Sequence, residues 1–434
     1  MPEDLYDDRL RAEDDAAGLP LPSSEFREPG ARLTANVRLL AIASFFQDLG
    51  SESPNILLPL FLLNVVGAGT AAIGLVEGVA ESTATFTKLV SGWLSDRLDR
   101  RKPLVALGYA LSTATRPWLA AIASWPPALF IRFGDRVAKG IRTSPRDALL
   151  ADSAPAATTG RAFGLNRAMD SLGSFASLVV AFILILVIQG NALKMEPATF
   201  RWLAGLSAVP GVLAVLTVVL LVREVRARHR HSEQTVPTID PGALGRLLAD
   251  TDRRFYLYLG AIALFTLGNS SDAFLVLRMQ RQGLTLLAIA GVMIPFNLLY
   301  ATASYGAGVL SDRFGRRVLL IGGWLIFAVV YLAYALGPGP ALTAGLFVVY
   351  ALYYAATEGV GRALVADMVS SRSRATAYGV YYGVLGVATL PASVLAGLLW
   401  QWISPSAPFL VGATLALLAS VALAVAPLQH RRTS

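Results

Sequence analysis

The sequence predicts an all-α membrane protein of twelve transmembrane helices, arranged as two pseudo-symmetric bundles of six. Three observations lead there. Of the 434 residues, 55% are hydrophobic and only 15% charged, whereas soluble domains carry about 25% charge; mean hydropathy is +0.56. Twelve apolar segments approach the roughly 20 residues that cross a bilayer as a helix. Finally, a short charged motif occurs twice, each time between two such segments. The copies run Gly92-Trp93-Leu94-Ser95-Asp96-Arg97-Leu98-Asp99-Arg100-Arg101 and Gly308-Val309-Leu310-Ser311-Asp312-Arg313-Phe314-Gly315-Arg316-Arg317.

Taken in order, residues 1–35 are acidic and proline-containing, and are expected to be a disordered cytoplasmic tail. They lack the basic start and apolar core of a signal peptide, so the first apolar segment is expected to act as an uncleaved anchor. The spans are expected near 39–62, 71–94, 104–123, 127–150, 162–189 and 200–222 in a first half, residues 36–222. A basic, then polar, cytoplasmic linker follows at 223–253. Spans near 255–277, 285–310, 318–337, 341–366, 376–399 and 406–426 make a second half, residues 254–428, before a short cytoplasmic tail at 429–434.

Charge sets the orientation. Arg97, Arg100, Arg101 and Lys102, the bases of the long linker, Arg313, Arg316 and Arg317, and the basic tail all fall on one side. The opposite linkers hold mainly Lys194, Arg278 and Arg281. The positive-inside rule therefore puts both termini in the cytoplasm. The same distribution removes the nucleic-acid reading of the net charge of +8, because the bases lie between apolar runs. There is no cysteine, and the three histidines (His229, His231, His430) lie in linker or tail. No metal site, disulfide or cofactor is expected.

The repeat extends beyond the motif. Ala148-Leu149-Leu150-Ala151-Asp152 matches Ala363-Leu364-Val365-Ala366-Asp367, and Ala162-Phe163-Gly164 matches Ala377-Tyr378-Gly379. The offset stays at roughly 215 residues, the fixed period of an internal repeat. Six spans per half give parallel repeats about an axis along the membrane normal.

With these residues in view, residues 36–428 resemble a major facilitator superfamily (MFS) transporter. The duplicated loop matches that family's Gly-x-x-x-Asp-Arg-x-Gly-Arg-Arg/Lys element. The second copy matches in full, and the first departs at Asp99. Arg136-Val137-Ala138-Lys139-Gly140 matches its Arg-x-x-x-Gly element in helix four. The glycine-proline run of drug/proton antiporters is missing from 169–177. The resemblance implies a monomer in a bacterial inner membrane. It also implies a cytoplasmic gate in which Asp96 faces the start of helix eleven and Asp312 the start of helix five. Arg97, Arg100, Arg101, Arg313, Arg316 and Arg317 belong to that gate or serve topology alone.

Ionisable residues within spans are functional candidates by default. Asp48 and Glu52 are four apart in helix one, as are Glu77 and Glu81 in helix two, so each pair shares a face. Burial favours the protonated form of a carboxyl, making these four and Asp135 candidates for proton coupling. The alternative is structural pairing, such as Glu81 with Lys88. Helix four carries Arg132, Asp135, Arg136, Lys139, Arg142 and Arg146; its bases recur every three or four residues and form one winding stripe. Either Arg132 and Arg136, with Arg116 of helix three and Lys88, attract an anionic substrate, or they pair with the acids. Internal pairing is favoured for most of them. Arg142 and Arg146, nearer the cytoplasm, are expected to join the gate with Asp152. In the second half the cavity candidates are Asn269, Asp272, Asn297, Tyr354, Glu358 and Tyr382, the tyrosines forming either a cavity wall or interfacial anchors.

The expected function is therefore secondary active transport of a small molecule by alternating access, proton-coupled, with export favoured. Its partners would be the bilayer, a small-molecule substrate and protons. Proton-coupled uptake of an organic anion, or a sensor that binds without transporting, stands as the alternative. No nucleotide-binding Gly-x-x-x-x-Gly-Lys-Ser/Thr run occurs. An enzyme would need a convergent nucleophile or metal site, which these residues do not supply.

Overall fold

Each of the twelve apolar segments forms a helical rod. The first six are α1 Ala35–Asn64, α2 Thr70–Leu98, α3 Lys102–Ala120, α4 Trp125–Ser153, α5 Thr159–Ile188 and α6 Pro197–Leu221. The second six are α7 Arg254–Arg281, α8 Leu286–Phe314, α9 Arg316–Leu336, α10 Pro340–Met368, α11 Arg374–Trp402 and α12 Ala407–Val425. The computed structural model describes residues 33–98, 100–154, 158–225, 253–369 and 374–426. Most of the expected N-terminal tail and linker, the final residues from 427, Asp99, and the side chains of Asp96 and Arg97 lie outside the described residues.

Local chemistry sets the helix ends. The side chains of Thr34 and Thr285 accept from the backbone N–H groups of Val37 and Ala288, capping α1 and α8. Proline opens α3, α4, α6, α10 and α12, where its missing N–H costs nothing. Gly315 alone separates α8 from α9, with φ of +90°, a backbone that side-chain-bearing residues avoid. That explains the glycine in the second motif copy. In the first copy the preceding helix ends at Leu98 and the next begins at Lys102.

Two rods are broken. α6 is interrupted at Ser207, three residues before Pro210, and ends in a π-helical turn, Thr217–Leu221. α7 divides into Arg253–Gly268 and Ala273–Arg281. The intervening Asn269-Ser270-Ser271-Asp272 are residues whose side chains compete for backbone hydrogen bonds.

Among the described residues, eight rods are apolar enough to be read as membrane spans by length and composition. The other four, α1–α4, are the ones into which the sequence places Asp48, Glu52, Glu77, Glu81, Arg116 and the bases of helix four. Their charge, turned inward, lowers their hydropathy. Most rods begin a few residues before the expected apolar limits, because helix propagation continues into the polar ends, whereas α3 stops at Ala120 and α12 lies within its expected span.

Helices α1–α6 and α7–α12 form the two halves. They meet along α2 with α11 and α5 with α8. On the side opposite the motif loops, the α2–α11 seam is tight. Gly74 and Gly78 of α2 abut Ser393 and Leu390, and Gly397 of α11 abuts Thr70. Thr70 Oγ1 donates to the Gly397 carbonyl at 3.1 Å, Ser82 Oγ to that of Gly386 at 2.8 Å, and the Ala71 N–H to Gln401 Oε1 at 3.1 Å. Small residues of this kind let membrane helices approach closely. The Leu286 N–H closes the α5–α8 side by donating to the Ala192 carbonyl at 3.1 Å. Toward the motif side, beyond Phe86 and Gly386, no hydrogen bond joins α2 to α11 among the described residues, and Lys88 and Val90 are exposed. Among the described residues the halves are thus held together most tightly on the side away from the motif loops.

Candidate functional site

Charged and polar side chains gather at an apex where α2 and α4 of the first half, with Asn55 of α1, face α7 and α10 of the second. On the first side, Arg132 of α4 is 1% exposed. Its Nη2 donates to both carboxylate oxygens of Glu77 on α2, at 3.1 and 3.3 Å, and its Nη1 to Asn55 Oδ1 of α1. One turn on, Arg136 Nη2 meets Glu81 Oε1 at 3.2 Å. Position i+4 on α4 thus matches i+4 on α2, giving two stacked ion pairs between parallel faces.

This arrangement revises several sequence expectations. Glu81 pairs with Arg136 of the neighbouring helix rather than with Lys88, which is exposed and lies two turns along its own helix. Arg116 is no cavity residue. It is 2% exposed and wedged against Gly50 and Gly211, where a side chain would collide with it. Its Nη1 donates to the Ser207 carbonyl at 2.7 Å and its Nη2 to that of Gln47 at 3.0 Å. It fastens the break in α6 to α1. Asp135, also buried, accepts from Ser112 Oγ, which in turn accepts from Gln47 Nε2 at 2.9 Å. That places it behind the ion pairs in the α1–α3–α4 seam. Asp48 and Glu52 are half-buried and form no ion pair with a described residue. Asp48 lies in the field of Lys139, Arg142 and Arg146.

The stripe on α4 therefore divides. Its first two arginines face α2. Arg142 lies 5.2 Å from the Tyr109 ring centre of α3. Arg146 reaches Asp147 at 3.0 Å, Asp170 of α5 at 3.5 Å and Ser44 Oγ of α1 at 2.9 Å. Neither meets Asp152, whose partner is Arg101. A winding stripe on a straight helix addresses different neighbours as it turns.

The motif arginines obey the repeat. Arg101 pairs with Asp152, and Arg316 pairs with Asp367 at 2.9 Å, each position displaced by the same 215 residues. Arg316 also donates to the Ala363 carbonyl and Arg317 to that of Ala424. The Glu224 carboxylate accepts from the backbone N–H groups of Arg101 and Lys102 at 3.1 and 3.0 Å. These bonds brace each half internally instead of joining the halves. Arg100, Asp312 and Arg313 are exposed; the side chains at 159 and 160 in the first turn of α5, where the partner of Asp312 is expected, lie outside the described residues.

On the second side, the break in α7 carries the chemistry. Asp272 is held by two phenols of α10: Tyr350 Oη donates to Oδ1 at 3.0 Å and Tyr354 Oη to Oδ2 at 2.8 Å. Asn269 Nδ2 donates to Tyr353 Oη at 2.8 Å. Asp272 lies in the field of Glu77 and Glu81 across the apex. Tyr354 stands edge-to-face with Phe296 at 6.1 Å and Tyr300 at 6.0 Å. The tyrosines of α10 are thus a wall at the apex, not interfacial anchors. Asn297 turns its amide back to the Met293 carbonyl of its own helix, at 2.9 Å. Glu358 is exposed and accepts from Tyr300 Oη, to which Arg167 of α5 donates at 3.3 Å. Tyr382 stacks edge-on with Tyr381 at 5.3 Å and lies beside Arg362.

Sequence reasoning missed Asn55, Tyr300, Arg167 and Asp170. Tyr300 was within reach, since it falls four residues after Phe296 and so on its face. Asn55, following Pro54 in an apolar run, carries no pattern that marks it.

Two like six-helix halves meeting around a charged and polar apex define a multi-pass membrane transporter. The family model described as Major Facilitator Superfamily matches residues 40–305 and 288–434, and the chain belongs to that family. It is 32% identical over 402 residues to an uncharacterized MFS-type transporter of Methanocaldococcus jannaschii, covering 91% of this chain and 96% of that protein. It is 26% identical over 403 residues to the probable metabolite transport protein CsbC of Bacillus subtilis, covering 83% and 84%. Its fold is similar to that of the nucleoside transporter NupG, with a TM-score of 0.73 at 15% identity over 92% of this chain and 100% of that one. It is also similar to that of a D-xylose–proton symporter, with a TM-score of 0.67 at 13% identity over 90% and 97%. The protein is a membrane transporter of small molecules.

Proposed function

We propose that this chain is a proton-coupled exporter of a small metabolite-like molecule, working by alternating access as a monomer in a bacterial inner membrane. Both termini lie in the cytoplasm, the two halves are the units that rock against one another, and the described state is inward-facing. The observation carrying this reading is the sealed α2–α11 seam above an apex that holds an unpaired carboxylate, Asp272, opposite two satisfied ion pairs. A charge that must be neutralised before the path can close is what couples closure to proton binding, because an unpaired charge is expensive in a dry site. Asp272, with Asp48 and Glu52, is the proton-coupling set, and Asn269, Tyr354, Glu358 and Tyr382 line the cargo space. Asp96 and Asp312 serve the gate on the cytoplasmic side in the opposite state. Uptake of an organic anion loses its main support, since Arg132 and Arg136 are already paired and Arg116 is locked behind α1.

Counterflow in proteoliposomes tests the reading, using compounds selected because they raise the melting temperature of the purified protein. Exchange of labelled compound without added energy, and accumulation that follows an imposed pH gradient, are expected. Binding without any exchange would favour the sensor, and accumulation unaffected by a protonophore would remove the proton.

A further inference from the structure

The carboxylate of Asp272 is met by neutral donors only. Its bonds come from Tyr350 at 3.0 Å and Tyr354 at 2.8 Å, and no Lys or Arg among the described residues forms an ion pair with it. The arginines across the apex are committed to Glu77 and Glu81, so that facing wall brings no spare positive charge. The acids of those pairs add negative potential at Asp272. The N-terminal end of the Ala273–Arg281 helix segment, which Asp272 precedes, offers only a partial positive charge. Tyr354, whose hydroxyl holds the carboxylate, stands edge-on to the half-buried rings of Phe296 and Tyr300, and the Tyr300 hydroxyl is engaged by Glu358 and Arg167, an acid and a base. An anionic group beside aromatic faces is the chemistry that recognises an organic cation, by charge pairing and cation–π attraction together.

We infer that the apex formed by Asp272, Phe296, Tyr300 and Tyr354 is a binding site for a small monovalent organic cation, such as a protonated or quaternary amine. The cation and a proton compete for the Asp272 carboxylate. This inference rests on the transporter reading above and names its cargo class. Competition for one carboxylate makes the exchange obligatory: cargo leaves when a proton takes its place, and charge at the site is conserved. The two tyrosine hydroxyls stay as donors to whichever oxygen remains negative, so they set the orientation without supplying charge.

The test measures equilibrium binding to the full-length protein in detergent, with tetramethylammonium, benzyltrimethylammonium and tetraphenylphosphonium as cationic probes. Neutral tert-butylbenzene and benzoate serve as shape-matched controls. At least one cation is expected to bind, neither control is, and the apparent Kd should weaken at least about tenfold as pH falls through the titration of the carboxyl, tenfold being one factor of RT ln 10. Asp272→Asn should abolish both the binding and its pH dependence, Asp272→Glu should restore part of each, and Tyr354→Phe should weaken binding severalfold while keeping the pH dependence. Failure of all three cations, preference for benzoate, or unchanged binding in a folded Asp272→Asn protein would overturn the inference. Because this assay needs no flux, the two readings fail separately. Cation binding without counterflow supports the site and removes transport, whereas proton-driven counterflow of an anion with no cation binding removes the site and leaves transport.

Discussion

Arg116 shows how much a single residue's role depends on what stands beside it. In sequence it is a positive charge in the middle of an apolar span, and such residues are read as functional. In the fold it slots into notches left by Gly50 and Gly211 and satisfies two carbonyls, one at the break of α6. Replacing it by alanine removes two hydrogen bonds from a buried charged donor, at about 1.5–3 kcal/mol each. Arg116→Ala is therefore expected to lower the melting temperature markedly, while any protein that folds keeps its cargo affinity; a shift in affinity without a loss of stability would return Arg116 to the cavity. Glu77, Glu81, Arg132 and Arg136 were legible as charges that must be paired, but their pairing was not. Spacing along one helix says which side chains share a face, and the partner is chosen by which helix packs against that face. Asp152 and Asp367 were visible through the repeat, yet only the fold shows that each closes on a motif arginine of its own half.

At the scale of the element, the twelve rods and their order were readable because apolar length and flanking charge are properties of the chain itself. The breaks in α6 and α7 were not read, although Pro210 and the run Asn269-Ser270-Ser271-Asp272 announce them. Hydropathy averages over such interruptions. The break in α7 is what frees Asp272 to face the apex. Helix α1, the first helix of its half as α7 is of the other, runs unbroken from Ala35 to Asn64 despite Pro54 and Pro59, so pseudo-symmetry ends where the chemistry is concentrated. The α2–α11 seam gives the prediction belonging to this scale. A side chain at Gly397 would meet the Thr70 carbonyl at 2.5 Å, a separation that backbone cannot accommodate in place. Gly397→Val should force the seam apart. Since the chain contains no cysteine, Ser82→Cys alone can report it, with maleimide labelling several-fold faster when Gly397→Val is added; equal rates would mean that the seam yields elsewhere.

For the whole molecule, the alternating access proposed above needs two states that differ in how the halves meet, with the motif braces holding each half as a unit. Bonds such as Arg101–Asp152 and Arg316–Asp367 lie within halves and so survive a rocking motion. Under that proposal the contacts that must break are the glycine and hydroxyl contacts of α2 with α11, the Leu286–Ala192 backbone bond and the Gln280–Leu193 bond.

That seam has a thermal consequence. Separating its glycine and hydroxyl contacts wets backbone carbonyls as well as apolar carbon. Apolar hydration raises heat capacity and polar hydration lowers it, so the two contributions oppose each other. The balance between the two states should then drift little on warming: spin labels at Val90→Cys and Phe314→Cys should report nearly the same distance populations at about 10 and 35 °C. A steep drift would point to greasy surface exchanged with water somewhere other than this seam.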